Sequence, residues 1–408
     1  MDTAVLVIFA FVYVGMVFGK YPGLKLDRAG VALLGAIAVL AVRRLTPQEA
    51  WQAIDVSTIA LLFGLMVVSA QFRLAGFYTK ITRRIAGARL EPETLLGLLI
   101  IVAAVLSALL VNDVVCLAMA PLLVDACARR NLNPVPYLLA LACASNVGSA
   151  ATLIGNPQNM LIGQQLGLSF AGYLLDAGIP SAIGLAAVWL VIAVRYRNKW
   201  HLSLPAPGID EVPFNGWQAT KGIAVLAALM VAFLFTGAPR DVLALAAAGL
   251  LLLSRTTASR MMLGLVDWQL LVLFAGLFVV NDAVAASGAL TSTMHALRAT
   301  GVDVAHPAWL FGITVVLSNL VSNVPATMLL LPAATHPLAG PILALASTLA
   351  GNLFIVGSIA NIIVVDQADR MGVRISWLEH AKVGLPVTVL TLAIAALWLW
   401  LRAASMGA

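Results

Sequence analysis

Charge is scarce in this 408-residue chain. Asp, Glu, Lys and Arg make up only 10% of it, against about 25% in an ordinary soluble domain. With 62% hydrophobic residues and a mean hydropathy of +0.99, the chain reads as a polytopic membrane protein, because several apolar runs exceed the roughly 18 residues of a spanning helix. Cysteine is scarce too. Cys116, Cys127 and Cys143 are odd in number, lack metal-ligand spacing and lie in apolar surroundings, so a disulfide framework is not expected and small core residues are. None of the five histidines (His201, His295, His306, His336, His380) falls in a motif, so no metal site is expected. No nucleophile–base constellation is visible either, which argues against an enzyme. No Lys/Arg-rich run is interleaved with aromatics. The net charge of +6 therefore points away from nucleic acid and toward basic cytoplasmic loops. Only Asp2 precedes the first apolar run, 5–19, and no A-x-A site follows it. That run is expected to be a first span rather than a cleaved signal.

What the chain does have is a repeat. The one soluble-looking stretch, "RYRNKWHLSLPAPGIDEVPFNGW" (195–217), carries Pro205, Pro207 and Pro213 and reads as a linker. It divides the chain into a first repeat (1–195), a cytoplasmic linker (196–217) and a second repeat (218–408). At an offset of 212, "IDVSTIALLFGLMVV" (54–68) falls on "VDWQLLVLFAGLFVV" (266–280). Arg28 then meets Arg240, Ala32 meets Ala244, Gly64 meets Gly276 and Gly76 meets Gly288. At 211, "LSALLVNDVVCLAMAP" meets "LSNLVSNVPATMLLLP", pairing Ser107 with Ser318 and Asn112 with Asn323. At 202, "GNPQN" (155–159) meets "GSIAN" (357–361). Internal repeats in a membrane protein point to a secondary transporter.

The hydrophobic pattern predicts spans at 4–19, 29–43, 56–72 and 177–195 in the first half, and at 222–236, 241–254, 268–286 and 383–402 in the second. Between them lie segments with polar tips, 95–128 and 307–335, and broken segments, 137–166 and 341–365. The tips, "VND" (111–113) and "SNVP" (322–325), suggest re-entrant hairpins, since arms of roughly 14 and 11 residues in the second fall short of a span. "FYTKITRRIAGARLEPET" is basic and amphipathic and is expected along the membrane surface. The expected fold is thus all-α and polytopic: two inverted repeats, each of about five spanning helices plus a re-entrant hairpin and a broken helix. All of the 24 Lys and Arg except Arg43, Arg44, Arg240, Arg298 and Arg402 fall on one face of this topology. That asymmetry puts both termini outside, the linker in the cytoplasm, and the hairpins entering from opposite sides of a bacterial-type inner membrane.

The stretch "ASNVGSAATLIGNPQN" (144–159) places helix breakers and amides inside an apolar segment. A helix broken within the bilayer leaves unpaired N–H groups on one side and unpaired C=O groups on the other, and these must face protein or a binding site. N–H ends attract anions, and C=O ends and amide oxygens attract cations. Gly148 and Gly155 are expected to let the backbone bend, and Pro157 to stop the helix. Asn146, Thr152, Asn156 and Asn159 are expected to line a solute cavity with Ser322, Asn323 and Asn361, and Gly357 and Ser358 repeat the break in the second half. Asn112, Asp113, Gly148, Gly155 and Gly357 are the candidates for handling a coupling ion, Na⁺ or H⁺; no other cofactor is expected. Asp113 stands out because an acid inside a hydrophobic segment is costly and usually functional. The alternative is that it caps a helix start. The second half has Val324 there, so the repeats are not equivalent. Asp55 and Asp267 are expected to be helix caps, and Asp125 to be interfacial.

At "VNDVVCLAMAP" (111–121), "ATLIGNPQN" (151–159) and "SNVPA" (322–326) the sequence resembles the ion transporter superfamily, which includes divalent anion–sodium symporters, citrate transporters, arsenite-efflux permeases and one branch of sodium/proton antiporters. The resemblance covers nearly the whole chain. It implies a scaffold domain and a transport domain, with solute and coupling ion held between two hairpin tips and two broken helices, and a homodimer. The symporters' Ser-Asn-Thr tips bind sodium. Here the tips read Val111-Asn112-Asp113 and Ser322-Asn323-Val324, and the Asn-Asp tip resembles the arsenite and antiporter branches. The combined expectation is an ion-coupled secondary transporter of a small anion or oxyanion (a carboxylate or inorganic oxyanion), with arsenite or antimonite efflux or sodium/proton antiport as the alternatives.

Overall fold

The computed structural model describes residues 3–19, 21, 24–206, 208, 212–255 and 257–406. Asp2, and Pro207 with 209–211 of the expected linker, lie outside the described residues. Those described form an all-helical protein. Six helices are long and apolar enough to cross a membrane: Val56–Leu74, Pro92–Leu109, Phe170–Arg195, Gly216–Phe235, Trp268–Ala286 and Trp377–Met406. Thr3–Phe18, Arg28–Ala41 and Arg240–Leu252 occupy the places of the remaining expected spans.

Both polar-tipped segments fold as helix pairs. The first comprises Pro92–Leu109 and Asn112–Arg129; the second comprises Pro307–Val321 and Asn323–Leu330. The short arms of the second match the expectation. Those of the first are 18 residues each, the length of a crossing, so its hairpin character rests on where its tip lies. The broken segments also appear where expected, as Pro134–Ala150 followed by Pro157–Gln165, and Ala339–Ala350 followed by Ile359–Arg370. The amphipathic segment forms the helix Phe77–Gly87, which buries Tyr78, Thr82 and Ile85 and packs on the second arm of the first hairpin.

Reciprocal contacts tie the halves together. Gly64, on Val56–Leu74, meets Arg240–Leu252 so closely that an added Cβ would lie 2.6 Å from the backbone of Ala244. Gly276, on Trp268–Ala286, meets Arg28–Ala41, with the corresponding distance to Ala32 at 2.7 Å. Each residue of one contact is 212 positions from its counterpart in the other, the exchange expected of halves related by a two-fold axis. The same offset joins Gly76 (φ 64°) and Gly288 (φ 72°), which cap matching helices in the left-handed region that glycine enters without penalty. Valine at Gly64 or Gly276 would force these crossings apart. Overpacking of this kind costs about 1–3 kcal/mol, so each variant is expected to show a lower midpoint than wild type in thermal unfolding in detergent.

The halves are not identical in their cross-contacts. Asp55 accepts from Gln165 Nε2 (2.6 Å), and Arg240 donates to Gly163 O (2.6 Å) and Leu168 O (2.8 Å), so one residue from each half grips the end of the first broken helix. Among the described residues the counterparts do not grip the second: Arg28 Nε is buried without a partner, and Gln367 bonds its neighbour Asp366.

Candidate functional site

The two breaks and two tips meet at one buried cluster of amides and hydroxyls. The first break spans 151–156, beyond Gly148. Gly148 therefore does not supply the bend expected of it. It lies within Pro134–Ala150, where any Cβ would strike the backbone of Ala104 on the first hairpin. Gly155 does sit in the break, and its Cβ would strike the backbone of Ser149. Its carbonyl accepts from Asn112 N (3.0 Å), which fixes the first hairpin's tip against the break.

Each break satisfies its carbonyl end with its own asparagine. Asn159 Nδ2 donates to Ser149 O (3.3 Å) and Thr152 O (2.9 Å); Asn361 Nδ2 donates to Gly351 O (2.8 Å) and Phe354 O (3.1 Å). All three pairs of residues are 202 apart, so the repeat extends to individual hydrogen bonds. The amide nitrogens of Asn159 and Asn361 thus plug helix ends, leaving their oxygens to face the centre. Asn156 caps Pro157–Gln165 through Asn159 N (2.9 Å) and donates to Ser149 Oγ (3.0 Å) and Thr348 Oγ1 (3.3 Å). Thr152 Oγ1 donates to Ala108 O (2.6 Å), tying the break to the hairpin's first arm.

Asn146 is the hub. Its oxygen accepts from Ser358 Oγ (2.9 Å) and Asn112 Nδ2 (3.4 Å), and its nitrogen donates to Asn352 Oδ1 (2.8 Å) and Asn361 Oδ1 (3.2 Å). It therefore joins the first tip to the second break. Two polar atoms beside it have no partner and no exposure: Asn112 Oδ1, an acceptor, and Asn352 Nδ2, a donor. Buried polar groups are normally paired, so each such orphan calls for an explanation.

The second tip closes the cluster. Ser318 Oγ bonds Asn323 and Ser347 O, and the Asn323 amide is fully satisfied when its nitrogen faces Gly357 O (3.2 Å) and Ser347 O (3.1 Å) and its oxygen accepts from Gln158 Nε2 (3.2 Å). Ser322 has φ 80° and ψ 160°, a region populated almost entirely by glycine. Such strain costs of order 1–3 kcal/mol. Ser322→Gly is therefore expected to raise the thermal midpoint measured in detergent, and an unchanged midpoint would count against strain at this tip.

Asp113 follows the tip but does not cap it. The helix start at Val111 has no side-chain cap, and the carboxylate, partly exposed, makes no hydrogen bond or ion pair among the described residues. Asp55 and Asp267 are caps as expected, accepting from Thr58 N (3.1 Å) and Leu270 N (3.0 Å). Asp125 is buried at the far end of its arm and paired with Arg129 (2.7 Å). Cys116 and Cys143 are free and buried near the cluster.

Sequence reasoning missed several members: Ser145, Ser347, Thr348, Asn352, Tyr173 and His380. The 202 offset already pairs Ser145 with Ser347 and Asn146 with Thr348. The histidines, expected to stand outside the motifs, include one that does not. His380 is buried, with Nε2 3.1 Å from Asn352 O at the second break.

A family model described as "Citrate transporter" matches residues 4–341. An uncharacterized transporter of Mycobacterium tuberculosis is 32% identical over 408 residues, covering 93% of this chain and 94% of the relative. The silicon efflux transporter LSI3 of Oryza sativa subsp. japonica is 28% identical, covering 93% of each. The crystal structure of the Alcanivorax borkumensis YdaH transporter shares the fold, with a TM-score of 0.61 at 15% identity over 98% of this chain and 96% of that one.

Proposed function

We propose that this chain, which belongs to the citrate transporter family of the ion transporter superfamily and is a multi-pass membrane transporter, is a proton-coupled secondary transporter of a small oxygen-rich solute. The observation that carries the reading is the cluster around Asn146, with its orphan acceptor (Asn112 Oδ1) and orphan donor (Asn352 Nδ2). A hydroxyl group satisfies both at once, donating to the first and accepting from the second. No lysine or arginine joins the hydrogen bonds of this cluster among the described residues. That favours an uncharged hydroxylated acid of the silicic or arsenous type, and the silicon efflux relative points the same way.

Asp113 carries the coupling proton in this reading. It is the one acid at a tip, and it has no fixed partner. The tips retain the asparagines of the sodium-binding pattern but mostly lack its hydroxyls, which weighs against two sodium sites. The inverted halves sit in a plasma membrane with both termini outside and the linker in the cytoplasm, and sliding or rocking of one bundle against the other exposes the cluster to each side in turn. The one-sided grip of Asp55 and Arg240 on the first broken helix is what one end of such a movement looks like.

A carboxylate or inorganic oxyanion is the second reading. Helices starting at Asn112, Pro157, Asn323 and Ile359 direct their N-termini at the cluster, and such ends favour negative charge. The test is uptake by proteoliposomes offered silicic acid, arsenous acid, citrate, succinate, sulfate or phosphate under a proton or sodium gradient. Movement of the neutral acids under a proton gradient supports the first reading. Movement of carboxylates or oxyanions alone supports the second. Sodium–proton exchange without any solute replaces both by an antiporter.

A further inference from the structure

The 202 offset pairs the carbonyl of Ala150 with that of Asn352, the two at the open ends of the first arms of the breaks. In the first half, Tyr173 Oη donates to Ala150 O (2.7 Å) and accepts from Asn159 Nδ2 (3.1 Å). In the second, the matching carbonyl meets His380 Nε2 at 3.1 Å. Tyr173 and His380 lie one turn into equivalent helices, Phe170–Arg195 and Trp377–Met406, and each follows by four residues a serine (Ser169, Ser376) that accepts from a backbone N–H three residues on. One repeat thus places a hydroxyl, and the other a titratable imidazole, on the same structural position.

We propose that His380 is the second proton-carrying group of the transport cycle, acting in the second repeat beside Asp113 in the first. The inference rests on the proton-coupled reading above. A carbonyl oxygen only accepts, so Nε2 carries hydrogen in the structure, and Nδ1 is the nitrogen that takes up the transported proton. The cation so formed lies at a helix C-terminus, where the carbonyl dipoles stabilise positive charge. It stands where a coupling cation would otherwise be drawn to the open carbonyl end of the break. The proton is taken from water when the break is exposed to one side and returned to water on the other. No acid or base is consumed.

Its surroundings leave the imidazole free to act this way. The helices Phe170–Arg195, Ala339–Ala350 and Pro134–Ala150 and the turn Ile355–Gly357 pack against its helix. Their titratable residues are Tyr173, Asp176 and Arg195 on the first and Tyr137 and Cys143 on the third; the other two have none. None of them hydrogen-bonds the ring, whose one polar contact among the described residues is Asn352 O. Asp176 is held by Arg402 (2.7 Å), and Glu379, the ring's chain neighbour, by Tyr196 (3.2 Å). Gly384, one turn on, keeps the space beside Asn352 O open: a Cβ there would collide with that oxygen.

The decisive variant is His380→Tyr, which transplants the first repeat's arrangement and retains a donor for Asn352 O but does not titrate near neutral pH. Arsenous acid, with citrate as the second probe, is measured in proteoliposomes by counterflow at equal pH and by the proton-to-solute ratio of net uptake with the potential clamped. In His380→Tyr the ratio is expected to fall from two to one and the acid limb of the pH profile to disappear, with counterflow reporting that the variant still binds and exchanges solute. An unchanged ratio and profile would overturn the proposal and leave His380 as a helix-end cap. His380→Gln, which also keeps a donor, serves as the second variant. If neither folds, the wild-type ratio decides, since a value of one contradicts a second proton carrier. Absence of counterflow by the wild type with every solute would instead overturn the solute-transport reading itself.

Discussion

Replacing Asn146 by alanine is expected to lower solute transport by at least about 100-fold while leaving a folded, helical protein. Asn146 makes four side-chain contacts, to Ser358, Asn112, Asn352 and Asn361, and it is itself buried. Removing it strands donors and acceptors that no lipid or apolar neighbour can satisfy. Each stranded group costs about 1–3 kcal/mol, and about 2.7 kcal/mol already corresponds to a factor of 100. The loss falls on the position of the first tip relative to the second break, hence on the geometry that holds the solute. Circular dichroism separates this outcome from general unfolding, and counterflow of arsenous acid reads the transport. Near-wild-type counterflow in Asn146→Ala would remove the cluster from the solute path.

The second large effect is expected at Asp113. In Asp113→Asn the carboxyl is replaced by an amide of the same shape that does not take up a proton. No hydrogen bond or ion pair is lost, because Asp113 makes none among the described residues. The variant should therefore fold as wild type does and retain counterflow. Net uptake should lose one proton per solute. One proton across one pH unit is worth 1.36 kcal/mol, a factor of ten, so the accumulation ratio should fall about tenfold for every unit of imposed gradient. The sign follows from the chemistry: wild-type uptake grows as the source side is acidified, and the variant responds less steeply. Equal slopes for wild type and variant would reduce Asp113 to a spectator.

Much of this architecture could be read from the chain. Gly64 and Gly276, or Asn112 and Asn323, stand in the sequence at constant offsets because both copies solve the same steric problem. Helix breakers inside greasy segments mark the breaks because lipid offers no partner for a free backbone group. Other features are legible only in three dimensions. Gly148 reads as a hinge from its type alone, but it is a contact surface for Ala104, a fact that depends on which helix lies opposite. Asn159 and Asn361 read as cavity-lining residues, and their nitrogens turn out to close their own helix ends. Tyr173 and His380 share neither chemistry nor the 202 register, since the second broken arm, Ile359–Arg370, is longer than the first, Pro157–Gln165. Their equivalence emerges only through the carbonyls they reach.

The most direct test of the account is the accumulation ratio of arsenous acid in proteoliposomes of the wild-type protein, measured against an imposed pH difference with the membrane potential clamped. Proton-coupled transport through Asp113 and His380 predicts a ratio that rises by about two decades per pH unit and collapses when a protonophore is added. Equilibration of the solute to a ratio of one at every pH difference would contradict coupling and describe a passive pore instead.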